Sequence, residues 1–336
     1  MPNAIDDFFQ QNQVNGKRVI LSLDLDNTLV IRDKGANYVN PKIKALLIKL
    51  TKGFKTIVLP NTGRDLIGYS SFQREVLPLK DAILGSGSII INDNQKFFDK
   101  RSLISKKVLK SLLRLVENGT LTYLDLADMR GRRIFYQSEA LVIKDLFFSQ
   151  NPKEWFLKQP PTLPVKKFTP VDLSSVFRIE FPVSPKNELL FDSLVAKKKK
   201  AIFDLSELLG LNEHGLNDYM IKNKLFFNEK YQGKYVFARF EKNASLINKS
   251  LGLKNWLKLS GLSQKYLFIV HIGDKDSGLI NDTIIKNSVP KAKVVMVGQK
   301  CQPGNPLVDL YLRGPVEEEL LIFLKGLINN CKNRPC

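Results

Sequence analysis

The chain has 336 residues, 43% of them hydrophobic, and a formal net charge of +19 from 52 Lys and Arg against 33 Asp and Glu. That length suits two domains of ordinary size, and that apolar content excludes a wholly disordered chain. The lysines are scattered, with one run at Lys197–Lys200 and no aromatic-interleaved basic motif, so the charge reads as solvated faces and nucleic acid is not an expected partner.

No run of about 18 uncharged apolar residues occurs, so no membrane span is expected. Met1 to Gly16 is polar and leans acidic, unlike a secretory signal. Cys301, Cys331 and Cys336 lack zinc-site spacing, which fits free thiols in a reducing, cytoplasmic setting.

The first element is an apolar run, Val19 to Leu23, that ends abruptly in Asp24 and Asp26. Such a run predicts a central strand of a parallel sheet, with both acids at its carboxyl end, where open α/β sheets bind ligands. Two acids so close repel each other unless something uses them. A divalent cation offsets that repulsion, and one carboxylate can then attack phosphorus while the other moves a proton.

Pro41 to Lys52 predicts a helix, with Ile43, Leu46, Leu47 and Leu50 at helical spacing and Pro41 at its start. Lys55–Leu59 predicts a second strand, followed by the polar turn Asn61-Thr62-Gly63-Arg64, and Ala82–Leu84 a short third strand. Strand–helix alternation of this kind implies a parallel sheet with right-handed crossovers. A hairpin is expected over Ile89–Ile91 and Lys96–Phe98, turning at Asn92-Asp93-Asn94-Gln95.

From there to about residue 240 the pattern mixes helices (Val108–Glu117, Lys186–Leu209) with strands (Leu121–Leu126, Arg133–Tyr136, Val176–Phe181, Leu225–Asn228, Tyr235–Arg239) around a proline-rich loop, Gln159–Pro164. Alternation resumes with Tyr266–Ile272, Lys293–Val297 and Leu310–Leu312, and a last helix, Val316–Leu327. The expected architecture is α/β: a Rossmann-like parallel-sheet core from residues 1–88 and 241–336, with an α+β domain inserted at 89–240.

Asp24-Leu25-Asp26-Asn27-Thr28-Leu29 resembles the first motif of the haloacid dehalogenase (HAD) phosphatases. The resemblance implies Asp24 as the nucleophile that becomes an aspartyl phosphate and Asp26 as general acid/base, with the Asp26 carbonyl on Mg²⁺. Thr62-Gly63-Arg64 looks like the second motif of the Cof-like and sucrose-phosphatase-like branch, which carries a large α/β cap. Thr62 and neighbouring backbone N–H groups would take phosphoryl oxygens, Gly63 permits close backbone approach, and Arg64 would orient the loop or face the cap. Ser86-Gly87-Ser88 matches by position the turn that precedes such a cap. Lys249-Ser250-Leu251-Gly252-Leu253 resembles the third motif and implies Lys249 as the lysine pairing with nucleophile and phosphoryl group; Lys242 is the alternative.

The fourth motif matches Gly273-Asp274-Lys275-Asp276-Ser277-Gly278-Leu279-Ile280-Asn281-Asp282. Asp274 would ligate Mg²⁺. Most relatives place the second acid four residues after the first, whereas here Asp282 lies eight after Asp274, a spacing similar to eukaryotic-type phosphomannomutases. Asp282 and Asp276 are both candidates for that second acid. His271 is read as packing or supporting the site, and Arg130, Arg132 and Arg133 as either a grip on an anionic substrate or a solvated turn. Asp309 to Leu320 is read structurally, with Pro315 at a helix start and acids in its first turn.

The resemblance implies a Mg²⁺-dependent phosphomonoesterase acting on a sugar phosphate or another small phosphorylated metabolite. A phosphomutase of the same superfamily, and a non-catalytic binding protein using the basic surface, are the alternatives.

Overall fold

The computed structural model describes residues 4–14, 16–31, 37–54, 56–117, 124–131, 133–137, 140–144, 173–183, 219–228, 233–242, 247–274, 282–298 and 304–332. In chain order its elements are α1 (Ala4–Gln11), β1 (Arg18–Leu23), α2 (Pro41–Gly53), β2 (Ile57–Pro60), α3 (Leu66–Glu75), β3 (Ala82–Leu84), β4 (Ile89–Asn92) and β5 (Gln95–Phe98). Next come α4 (Lys106–Glu117), β6 (Leu124–Asp128), β7 (Arg133–Gln137), β8 (Ala140–Lys144), β9 (Val176–Val183), β10 (Tyr219–Asn228) and β11 (Gly233–Lys242). The chain closes with α5 (Lys249–Leu259), β12 (Leu267–Gly273), α6 (Ile285–Ser288), β13 (Lys293–Val297), β14 (Leu310–Leu312) and α7 (Val316–Lys332).

The described residues fall into two compact units, Met1–Phe98 with Asn248–Cys336, and Asp99–Ile247. The first unit is built on a five-stranded parallel sheet in the order β14-β13-β12-β1-β2. From β1 the chain moves to β2 on one side, and later to β12 on the other. The order therefore reverses between β1 and β12, and the crevice at their carboxyl ends is the ligand position of such sheets.

Strands buried on both faces explain the continuous apolar runs: Val19 to Leu23 are all buried. On one face, Ile20, Leu59, Ile269, Val294 and Met296 pack with Leu253, Trp256 and Leu257 of α5. On the other, Phe268 meets Phe8 of α1, and Phe8 and Phe9 meet Phe323 of α7 at ring-centroid distances of 6.0 and 5.0 Å. The polar segment before residue 16 thus contains a helix that sequence reading passed over: Ile5, Phe8 and Phe9 lie on its buried face.

The hairpin is present, with Asp93 and Asn94 at φ 46° and 66°, the left-handed pair a two-residue turn requires. It belongs to the first unit. β4 pairs antiparallel with β3 (Leu84 opposite Ile89), and β3 is bridged to the end of β2 at Asn61–Ile83. The compact unit therefore runs to Phe98 rather than residue 88, and resumes at Asn248 rather than 241, because β11 continues to Lys242. The shift from parallel to antiparallel pairing marks an extension of the core at this edge.

The second unit holds a six-stranded sheet, β10-β11-β9-β6-β7-β8, with all its pairings antiparallel. Helix α4 lays Val108, Leu109 and Leu112 into the interior and leaves Lys106, Lys107 and Lys110 exposed. The expected helix Lys186–Leu209, the loop Gln159–Pro164, His214, Asp276, Arg132, Cys301 and Cys336 lie outside the described residues. Cys331 is buried and in no disulfide. Among the described residues no helix is long and apolar enough to cross a membrane.

Candidate active site

Asp24 is the first residue past β1. Its backbone N–H donates to Ile272 O at 2.9 Å, so β1 and β12 stay paired up to the acid itself. The chain then folds back tightly. Leu29 N and Val30 N both donate to Leu25 O, and Asn27 takes φ 64°, a left-handed position that Asn tolerates. Leu25 and Leu29 are buried beneath this turn, anchoring a loop whose polar members Asp24 and Asp26 face elsewhere. Asp24 Oδ1 accepts the Leu25 N–H at 2.8 Å.

Lys249 opens α5, behind the N-cap Asn248, whose side chain accepts Leu251 N at 2.9 Å. A cation at a helix N-terminus opposes the helix dipole, so its placement needs carboxylates nearby. They are there: Lys249 Nζ lies 2.8 Å from Asp24 Oδ2 and 2.6 Å from Asp282 Oδ1. Close docking brings the helix to this point. Gly87, at φ +104°, faces the Asn248 carbonyl so tightly that a Cβ would strike it, and Gly252 rests on Gly87 Cα and Ile83.

Asp274 follows β12, and Asp282 returns to the same spot at the far end of the 275–281 segment. Asp282 sits over Gly273, where a Cβ would collide with its carboxylate. Asp24, Asp274 and Asp282 each offer a carboxylate oxygen within 4.8 Å of the others. Three hard oxygen donors at the open end of a sheet suit a divalent cation that prefers oxygen.

The electrostatics follow from burial. Burial pushes the Asp24 carboxyl up to about 7, against the pull of Lys249 and with added repulsion from Asp282 and Asp274. Burial also disfavours the Lys249 ammonium, but Asp24 and Asp282 outweigh it and hold Lys249 above the usual lysine range. For Asp282 burial is again opposed, here by Lys249 and His271, and the carboxyl falls well below its ordinary value. His271 is held below the usual histidine value by burial, so it is neutral near pH 7.

Asp26 has a different partner from Asp24. Arg64 donates to Asp26 Oδ1 from Nη2 at 2.7 Å and from Nε at 3.2 Å. Arg64 Nη1 donates to Asn37 Oδ1 at 2.7 Å, and Asn37 Nδ2 in turn donates to Ser71 Oγ and Glu75 Oε2 on α3. Of the two roles sequence reading left to Arg64, orienting its loop describes this geometry. Thr62 is fully buried; its N–H donates to Ile83 O and its Oγ1 accepts Arg64 N at 3.2 Å.

The structure thus gathers Asp24, Lys249, Asp274 and Asp282 around one point, and sets Asp26, Thr62, Gly63 and Arg64 on the adjoining turns of the same sheet edge. Lys242 ends β11 in the second unit. Arg130 is exposed on the turn after β6. Sequence reading missed residues that support the acids: the buried Ser22 and Asn61, and the half-buried Asn37. Ser22 interrupts the apolar β1 run two residues before Asp24, and that was the available signal.

No protein-family model matches the chain, and no curated protein matches it in sequence. Solved structures do match in shape. One is a hypothetical protein from Geobacillus kaustophilus HTA426, with TM-score 0.58 and 14% identity over 93% of this chain and 99% of that one. A second is a haloacid dehalogenase-like hydrolase from B. subtilis, with TM-score 0.53 and 15% identity over 91% of this chain and 98% of that one. A third is a HAD subclass IIB sugar phosphatase, with TM-score 0.50 and 15% identity over 92% of this chain and 98% of that one. This chain carries the fold of the HAD hydrolases, built on a central five-stranded parallel sheet.

Proposed function

We propose that the protein is a Mg²⁺-dependent phosphomonoesterase that works through an aspartyl-phosphate on Asp24, with a sugar phosphate or similar small metabolite as substrate. One observation carries the proposal: Asp24, Lys249 and Asp282, far apart in the chain, meet at 2.8 and 2.6 Å beside Asp274. The likeness in fold to sugar phosphatases and HAD hydrolases supports the reading.

In this mechanism the Asp24 carboxylate attacks phosphorus in line with the leaving oxygen. Asp26 protonates that oxygen as it departs, then takes a proton from the water that hydrolyses the acyl phosphate. Lys249 faces the phosphoryl oxygens while it holds Asp24 Oδ2, so the nucleophile stays oriented as charge moves onto the transferring group. Thr62 and the Gly63 N–H are assigned donation to phosphoryl oxygens. Arg64 holds Asp26 in place. Asp24, Asp274, Asp282 and the Asp26 carbonyl would hold Mg²⁺, whose contribution is to neutralise phosphoryl charge and orient its oxygens. The second unit is assigned the selection of substrate.

A phosphate-release screen over phosphorylated metabolites, with and without Mg²⁺, tests this. Turnover that needs Mg²⁺ and vanishes in Asp24→Asn is expected. Turnover that survives in Asp24→Asn removes the nucleophile from the scheme, and bisphosphate-activated isomerisation in place of phosphate release would assign a mutase.

A further inference from the structure

Beneath the acids runs a fully enclosed row of hydrogen bonds. We infer that Asn61 and Ser22 are positioning residues: they hold His271 as the neutral tautomer protonated on Nε2, aimed at Asp282, and so fix the carboxylate facing Lys249 and the cation site. The inference rests on the proposed role of Asp282 at that site.

The bond directions are read outward from one fixed donor. Asn61 Nδ2 donates to Lys249 O at 3.2 Å, and a carbonyl only accepts, so the orientation of the amide is set. The same Nδ2 reaches Ser22 Oγ at 3.5 Å. Ser22 Oγ accepts on that side, and we assign its one proton to His271 Nδ1 at 2.9 Å, the neighbour that can accept it. With Nδ1 accepting, the ring proton sits on Nε2 and is donated to Asp282 Oδ1 at 3.0 Å.

The other protonation states fit worse. With the proton on Nδ1, the bare Nε2 lone pair would face the carboxylate oxygen at 3.0 Å. An imidazolium would donate from Nδ1 to Ser22 and leave the serine proton without Nδ1 as its acceptor. Asn61 Nδ2 cannot take it, and Ser22, Asn61 and His271 are all 0% exposed, so bulk water cannot compensate.

Fixing Asp282 matters because Oδ1 serves two donors at once, Lys249 and His271. The bare Cα of Gly273 lets the carboxylate into this position, and His271 stops it from turning away. A neutral donor does so without adding positive charge beside acids that would bind a cation. Hydrogen-bond partners behind metal ligands set affinity in this manner elsewhere, with losses of about 10- to 100-fold when removed.

The chain has two histidines, so His214→Gln leaves one imidazole for nitrogen NMR. In that metal-free background His271 is expected to show a protonated Nε2 and an accepting Nδ1 at neutral pH. Ser22→Ala is expected to populate the second tautomer and to weaken MgCl₂ binding, read by calorimetry, about tenfold or more. A proton on Nδ1 in the unsubstituted network overturns the inference without any need for the Ser22 variant. So does a Ser22→Ala protein with unchanged tautomer and unchanged Mg²⁺ affinity. Failure of the parent protein to bind Mg²⁺ at all would instead remove the cation from the proposed function.

Discussion

Arg64 grips Asp26 Oδ1 from two nitrogens, Nη2 at 2.7 Å and Nε at 3.2 Å. The pair is largely shielded, with side-chain exposures of 12% and 21%. Asn37, held in turn by Glu75, keeps the guanidinium aimed at this carboxylate.

Arg64→Ala should therefore release Asp26 and damage proton delivery more than binding. General acid catalysis is worth about 10²–10⁴-fold, so kcat on an alkyl phosphate should fall by about 10²-fold or more. The loss on p-nitrophenyl phosphate, whose leaving group needs little protonation, should be smaller. Steady-state kinetics on both substrates decides; equal losses would deny Asp26 its role as acid.

Lys249→Met leaves Asp24 and Asp282 buried without their shared cation. Breaking a buried ion pair from one side costs about 3–5 kcal/mol, so urea unfolding of the metal-free protein should show a loss of that order. Added Mg²⁺ should restore part of it by neutralising the same acids. Unfolding at wild-type denaturant concentration would show that the ammonium is not the charge that balances them.

The raised value of Asp24 gives a pH signature. A carboxyl pushed up to about 7 is protonated in much of the metal-free protein below that pH. A cation needs the carboxylate, so binding expels a proton. Apparent Mg²⁺ affinity should climb by up to about tenfold per pH unit below about 7 and flatten above it. Calorimetry in buffers of different ionisation enthalpy measures the released proton directly. No proton released at pH 6 would contradict the burial argument.

The same shift has a stability sign. A folded-state value above the unfolded 3.8 means the neutral carboxyl is favoured in the fold, and that contribution is lost as pH rises from about 4 through about 7. Asp24→Asn removes this penalty. Metal-free Asp24→Asn should gain stability relative to wild type between pH 5 and pH 8, even though its turnover is gone. Lys249 and Asp282 respond to the same substitution, so the comparison reads the charge balance of the whole cluster.

Gly87→Ala should both strain the φ +104° position and push the Asn248 carbonyl away. A residue that cannot adopt its native backbone destabilises by more than about 1 kcal/mol. Because α5 starts at that contact, kcat should fall alongside the denaturation midpoint. Gly53→Ala, where a Cβ would meet nothing within 4 Å, is the control expected to leave kcat unchanged and to hold or slightly raise the midpoint.

Much of this protein was readable from its residues. The β13 and β14 boundaries, the hairpin turn and the placement of Asp24 and Asp274 at strand ends all follow from local patterning. An apolar run that stops at an acid is a property of neighbours in the chain, and a buried parallel strand leaves that trace. The N-terminal helix α1 left a weaker trace, because only Ile5, Phe8 and Phe9 of its eight residues are buried. The hairpin was recognised, but its ownership was not, since pairing with β3 is a non-local fact.

The sequence by itself determined the kinds of residue available for chemistry and the strand ends that would carry them. Tertiary structure alone decided their partners: Arg64 on Asp26, Lys249 between Asp24 and Asp282, Ser22 against His271. A side chain's charge is encoded at its own position. What that charge touches depends on which strands lie side by side, and here the β1–β12 pairing that sets Ser22 beside His271 joins residues from opposite ends of the chain.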